Sequence, residues 1–122
     1  MRILARLLGF LGLVLLGLGI DGHTASLFPG SPVLKEVFRT VAAVHAAAAI
    51  IPQRFTVTFP VLNAAACVIY LVSGGVKARV VKAALAERGA GVPAGMVRPS
   101  DGRLIWLLDR AAAALLPPGT AG

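Results

Sequence analysis

The chain has 122 residues and a formal net charge of +7, with 57% hydrophobic and only 14% charged residues. That length is typical of one domain, and the basic residues are dispersed from Arg2 to Arg110 without interleaved aromatic residues, which argues against nucleic acid as a partner. Cys67 is the only cysteine, so an internal disulfide and a multi-cysteine metal site are excluded, and a reducing compartment such as the cytoplasm is favoured.

The N-terminal residues allow two interpretations. Two arginines followed by the apolar run 7–20 imitate the first regions of a secretory signal peptide. The run is short for a transmembrane helix, and no persuasive cleavage site follows it. The chain could therefore be a small secreted or membrane-tethered protein, or residues 2–8 could form a helix that leads into a strand. Residues 1–12 thus form an N-terminal segment of unassigned structure.

The stretch that follows gathers polar groups at the end of an apolar run. Leu13–Leu16 is unbroken and apolar, which is typical of a strand buried on both faces of a parallel sheet. Gly17 and Gly19 allow a close turn, and Asp21 and His23 come directly after it. In open α/β sheets, ligands bind at this carboxyl-terminal edge of the strands. The same residues also fit a tight turn, and as a metal site they lack a third ligand.

The segment from Gly17 to Gly30, GLGIDGHTASLFPG, resembles the signature of the 6-phosphogluconolactonase family. The related glucosamine-6-phosphate isomerases/deaminases share the Gly-x-Gly-x-Asp-Gly-His core but usually continue with Ile-Ala-Phe-Asn-Glu-Pro. Ile20 stands where the family usually has Glu or Pro, a departure that leaves Asp21 and His23 unchanged. The resemblance favours a strand, and not a signal peptide, at 13–16.

The next elements form a second informative stretch. Residues 41–44 predict a strand that closes at His45, to which we assign no role. The segment 52–60 alternates as a strand should, and Pro60 then opens a helix over 61–66. On its own, Arg54 is more often a solvated strand residue. PQRFTVTFPVLNAA resembles the lactonase family, however, and the resemblance implies that Arg54 contacts the sugar phosphate.

A glycine turn follows the next buried strand, predicted over 68–72. Gly74 and Gly75 lead into a helix predicted over 76–88, whose first turn contains Lys77. Unpaired backbone N–H groups and the helix dipole favour an anion at such a turn. The pattern alone is weak, but the resemblance implies that this Gly-x-x-Lys serves the substrate phosphate.

The C-terminal part contains a glycine- and proline-rich loop over 89–98 and a strand over 104–108, with Trp106 in the core. Asp109 is placed to cap an alanine-rich helix. Cys67, in apolar surroundings, is predicted as a small core residue. Residues 117–122 are predicted to be a disordered tail.

The resemblance implies hydrolysis of 6-phospho-D-glucono-1,5-lactone without a metal or cofactor. Opening the lactone needs a base for the attacking water and donors for the oxyanion. His23 is predicted to be the base and Asp21 to orient it, with backbone amides from Gly19 to Gly22 as candidate oxyanion donors. Arg54 and Lys77 would hold the phosphate. The enzyme alternative is a sugar-phosphate isomerase/deaminase that uses the same Asp21 and His23 for proton transfer.

The predicted fold is α/β, the C-terminal part of a Rossmann-like three-layer and mostly parallel sheet, with the partial domain over 13–116. Members of the family carry an N-terminal half, with further strands and a glycine-rich phosphate loop, that has no counterpart in this sequence. The chain is therefore interpreted as truncated. Truncation predicts an exposed sheet edge and self-association through it.

Overall fold

The computed structural model describes residues 11–47, 49–86 and 91–120, so the helix predicted over 2–8 lies outside the described residues. Those residues form five strands and two α-helices. In chain order they are β1 (Leu13–Leu16), β2 (Val41–His45), β3 (Gln53–Val57), α1 (Phe59–Asn63), β4 (Cys67–Val72), α2 (Ala78–Leu85) and β5 (Arg103–Leu108).

A parallel sheet of three strands in the order β1-β4-β5 confirms the α/β prediction. Leu13 pairs with Cys67 and Leu16 with Tyr70, and β5 pairs with β4 along its whole length. Because β1 and β4 run in the same direction, the segments that follow them leave the sheet at the same edge. The polar stretch after β1 and the glycine turn after β4 are therefore brought together.

A separate antiparallel pair, β2 with β3, lies beside the polar stretch. The alternation in β3 turns Phe55 outward, with 79% of its surface exposed, while Thr56 is buried. The Thr56 Oγ1 accepts a hydrogen bond of 3.0 Å from the backbone N–H of Ser26. This bond ties the hairpin to the loop after β1.

Both helices are shorter than the sequence predicts. Pro60 lies in the first turn of α1 as expected, but α1 ends at Asn63. The segment Gly75–Lys77 is a 3-10 turn, and α2 begins only at Ala78 and ends at Leu85.

The predicted alanine-rich helix is wrong. Residues 110–115 form successive turns, although Asp109 Oδ1 accepts the expected capping bond from Ala112 N at 2.8 Å. Of the backbone bonds in this segment only one, from Ala113 N to Asp109 O at 3.1 Å, has the spacing of an α-helix, so the turns do not extend into a helix. In the predicted disordered tail, Pro117–Thr120 forms a turn closed by a backbone bond of 3.2 Å.

One face of the parallel sheet carries the core, and the other is exposed. Leu16, Val68, Tyr70 and Val72 are buried on the first face, where α1 and α2 add their apolar side chains. On the other face the exposed leucines, each more than half accessible, are Leu13, Leu15, Leu71 and Leu107. The prediction that β1 is buried on both faces is therefore wrong for the described residues, which supply the sheet and one covering layer. Cys67 is on this exposed face and only partly buried, so its predicted core position is wrong too.

Trp106 packs on the core face as predicted, although it is only partly buried. Its ring stacks on that of Tyr70, with the centroids 3.9 Å apart. The Trp106 Nε1 is buried without a hydrogen-bond partner.

We predict that the chain self-associates through this apolar sheet face and the unpaired side of β1. Sedimentation velocity over a range of concentrations should show monomer in equilibrium with larger species. Replacing Leu15 and Leu107 with lysine should shift the equilibrium towards monomer. Replacing Phe38 with lysine is the control and should not shift it, because Phe38 is 76% exposed but lies outside the sheet. A chain that stays monomeric at every concentration would contradict the prediction.

Candidate active site

Asp21 and His23 form a hydrogen-bonded pair in the loop that follows β1. The Asp21 Oδ1 lies 2.6 Å from His23 Nδ1 and also accepts the His23 backbone N–H at 3.0 Å. An ionised carboxylate only accepts hydrogen bonds, so Nδ1 carries the proton in this pair. When the ring is neutral, the other nitrogen, Nε2, has the lone pair and can accept a proton from a reactant.

The environment of Asp21 keeps its carboxyl ionised. Partial burial raises the pKa of Asp21, but hydrogen bonds from the His23 backbone and ring, and attraction to the imidazolium, together lower this pKa below its ordinary value. The folded pKa is therefore lower than the unfolded one. The pair stabilises the loop above the unfolded pKa, and this contribution is lost as the pH falls through the folded pKa.

Gly19 leaves the space that the His23 imidazole occupies. A Cβ atom at this position would lie 2.1 Å from His23 Nδ1 and 2.8 Å from Asp21 Oδ1, so only glycine leaves room for the pair. The loop also closes on itself, because Gly19 N donates to His23 O at 2.9 Å and Gly22 N donates to Gly19 O at 3.0 Å. These two amides are thus used inside the loop. The Asp21 N–H interacts with its own carboxylate, so the predicted oxyanion donors are reduced to the amide of Ile20.

Further contacts fix the loop from outside. Gly22 has a φ of +92° and would place a Cβ 2.5 Å from that of Val92, so both its conformation and its packing require glycine. Thr24, which is buried, donates from Oγ1 to Gly17 O at 2.9 Å. The loop is also held from outside, because Ala94 N donates to Gly22 O at 3.0 Å.

Two clefts share His23. The smaller cleft, about 350 Å³, is lined by the loop that follows β1 and by Lys77 in the turn after β4. The residues of the loop are Gly17, Leu18, Gly19, His23, Thr24 and Ala25. The larger, about 740 Å³, lies between the loop and the β2–β3 hairpin, and its lining includes Asp21, His23, Phe28, His45 and Arg54. Lys77 and Arg54, predicted to hold one phosphate, therefore line different clefts. His23 is the predicted residue that faces both.

Lys77 reaches the strand end beside His23. Its Nζ donates to the backbone carbonyl of Leu18, which leaves two of its three N–H groups for a ligand. The glycine turn differs from the prediction, because the Gly74 N–H is not free. It donates to the Asp109 carboxylate, with both oxygens at 3.1 Å, so an anion of the protein itself occupies this amide.

Phe28 is a residue of the site that the sequence analysis missed. Its ring centroid lies 4.6 Å from that of His23, with the planes 30° apart. The guanidinium carbon of Arg54 lies over the same ring, 5.6 Å from its centroid. The signal available in the sequence was the apolar Leu-Phe pair inside an otherwise polar loop.

The described residues also limit other kinds of site. Nowhere in them do three or more His, Cys, Asp or Glu side chains come together in a way that could hold a metal ion. Of the helices in residues 11–47, 49–86 and 91–120, none is long and apolar enough to cross a membrane.

The parallel sheet and the His-Asp pair at its carboxyl-terminal edge define an α/β protein of the kind that binds small ligands at strand ends. The chain belongs to the glucosamine-6-phosphate isomerase/6-phosphogluconolactonase family, whose model matches residues 3–106.

Among its relatives are 6-phosphogluconolactonases from Rattus norvegicus, 50% identical over 104 residues, and Homo sapiens, 48% identical over 105. Each match covers 85% of this chain, but only 40% of the rat protein and 41% of the human one. A solved 6-phosphogluconolactonase from Trypanosoma brucei is 37% identical, with a TM-score of 0.74 over 86% of this chain and 42% of that one. The chain thus spans about two-fifths of the length of these relatives.

Gly19→Ala is expected to lower the free energy of unfolding by about 1–3 kcal/mol, because a methyl group would displace the His23 ring. Gly17→Ala is the matched control, since a Cβ at Gly17 meets nothing within 4 Å. It should change the free energy of unfolding by less than about 1 kcal/mol. Urea denaturation measures the free energy of unfolding of both variants. Equal values would contradict the claim that the His23 ring needs the space at Gly19.

Proposed function

We propose that this chain carries the catalytic part of a 6-phosphogluconolactonase, which hydrolyses 6-phospho-D-glucono-1,5-lactone to 6-phosphogluconate. The observation that carries the proposal is that His23, whose Nδ1 is hydrogen-bonded to Asp21, lines the same cleft as Lys77. Its volume of about 350 Å³ is within the range of small-molecule sites. The names of the relatives give the reaction that these groups fit.

In the proposed mechanism His23 transfers one proton in each direction. Nε2 accepts a proton from water while the water oxygen adds to the lactone carbonyl carbon, and the imidazolium that forms is stabilised by Asp21. The carbonyl oxygen becomes an oxyanion, for which the amide of Ile20 is the remaining candidate donor. The tetrahedral intermediate collapses, the bond to the ring oxygen breaks, and the imidazolium returns its proton to that oxygen. The products are a carboxylic acid and a hydroxyl group.

Lys77 supplies the positive charge for the substrate phosphate. A phosphate that is remote from the reacting carbonyl positions the substrate by binding energy alone. Neither a metal nor a cofactor enters this mechanism. We place the reaction in the oxidative pentose phosphate pathway, as the name of the relatives implies. We place the protein in the cytoplasm, because a single cysteine fits a reducing compartment.

His23→Ala should lower the turnover number for lactone hydrolysis by about a hundredfold or more, since it removes the general base. His45→Ala, which changes the other histidine of the chain, should leave turnover within about twofold of the parent value, since His45 plays no part in the proposed proton transfers. Both variants should be assayed in the 122-residue chain and in the same chain joined to the part of the rat relative that the match leaves out. Unchanged turnover in His23→Ala would remove His23 from the mechanism, and release of ammonia from glucosamine 6-phosphate, without lactone hydrolysis, would point to the isomerase/deaminase reaction.

Lys77→Ala should raise the Michaelis constant for the phosphorylated lactone while leaving the turnover number nearly unchanged. A phosphate contact that is equal in the ground and transition states gives uniform binding. Lys82→Ala, an exposed lysine on α2, is the control. If Lys77→Ala had the same Michaelis constant as this control, Lys77 would not be a phosphate ligand.

A further inference from the structure

Arg54 makes two contacts within the protein. Its Nε donates to the backbone carbonyl of Ile51 at 2.9 Å, and its guanidinium lies over the Phe28 ring. A guanidinium over an aromatic face is attracted by the negative face of the ring. The carbonyl and the ring together hold the Arg54 side chain in one position.

Phe28 connects Arg54 to His23, because its ring contacts both side chains. The Asp21 bond fixes only one corner of the imidazole, at Nδ1, and Gly19 lies against the edge that contains Nδ1 and Cε1. The Phe28 ring, 4.6 Å away and tilted by 30°, is the aromatic contact that limits how the imidazole can rotate about that corner. The direction of the Nε2 lone pair therefore depends on where Phe28 stands.

We infer that Arg54 is a positioning residue that acts through Phe28 on His23, and not a ligand of the substrate phosphate. The inference rests on the proposed function, and it agrees with the placement of Arg54 in a cleft that Lys77 does not line. The hairpin supports this role, because the Ser26 to Thr56 hydrogen bond keeps β3, and with it Arg54, against the loop that contains Phe28.

The kinetic test compares Arg54→Ala, Arg54→Lys and Phe28→Leu. A misplacement of about 1 Å can cost about a hundredfold in rate, so we expect each variant to lower the turnover number by about tenfold or more, with little change in the Michaelis constant. Lysine keeps the charge but not the planar stack or the Nε bond, so it should not rescue turnover. Arg98→Ala, an exposed arginine that lines neither cleft, is the control.

Two further measurements separate positioning from phosphate binding. With unphosphorylated D-glucono-1,5-lactone the Arg54→Ala defect should persist, whereas loss of a phosphate contact would leave that reaction unaffected. In a double-mutant cycle, Arg54→Ala should have little additional effect once Phe28 is leucine. A raised Michaelis constant that lysine restores, seen only with the phosphorylated substrate, would overturn the inference.

An NMR measurement tests the positioning of the His23 ring without relying on enzymatic activity. It therefore tests this inference even if the proposed reaction is not observed. The chain has only two histidines, so in a His45→Gln background all histidine ring signals come from His23. The Phe28 ring current should displace the His23 Cε1–H resonance, and Phe28→Leu should abolish that displacement. Arg54→Ala should move the resonance most of the way to the Phe28→Leu position, while Arg98→Ala leaves it in place. A His23 resonance unchanged in Arg54→Ala would refute the inference.

Discussion

The parallel pairing of β1 with β4 is the constraint on which the site depends. It fixes Leu16 opposite Tyr70, so the chain leaves both strands at one edge of the sheet. The loop that contains Asp21 and His23 then meets the lysine turn, and Lys77 can donate to the carbonyl of Leu18. A slip of one residue would turn every side chain of β1 to the opposite face and would move its end by about 3.3 Å. The cleft shared by His23 and Lys77 would not survive that change.

Within the loop, small residues let the polar groups approach one another. The His23 ring lies where a side chain at Gly19 would otherwise be, and the loop amides of Gly19 and Gly22 are satisfied by backbone carbonyls. The imidazole is therefore placed by the backbone, the Asp21 carboxylate and the Phe28 ring before any ligand arrives. An imidazole held in this way loses little conformational freedom when a ligand binds, which would favour the proton transfer that we propose.

The charge arrangement is the reason that we propose Lys77, and not the glycine turn, as the anion-binding element of the smaller cleft. The Asp109 carboxylate accepts the Gly74 N–H and the Ala112 N–H, and so ties the end of β5 to the turn after β4. That bond removes an amide from the set available to a phosphate. The positive charge that remains in the cleft is on the flexible side chain of Lys77, whose ammonium can follow the position of a ligand.

The sequence by itself determined the strands and the pairing of Asp21 with His23. The apolar runs predicted β1, β4 and β5, and the alternation around Arg54 predicted β3, because burial on a pleated surface leaves a period that can be read along the chain. Asp21 and His23 are two residues apart, so their pairing is a local property of the loop, and the resemblance of that loop to a family pointed to it.

Only the tertiary structure decided which distant residues share a cleft and which faces are covered. Arg54 and Lys77 carry the same charge and both matched the family, yet Arg54 contacts Phe28 while Lys77 lies beside Leu18. Likewise, an apolar run does not reveal whether a layer covers its second face, and Leu13 and Leu15 are exposed. Such contacts depend on how strands 50 or more residues apart along the chain pair and pack, as β1 and β4 do from Leu13 to Cys67, and no local pattern encodes that arrangement.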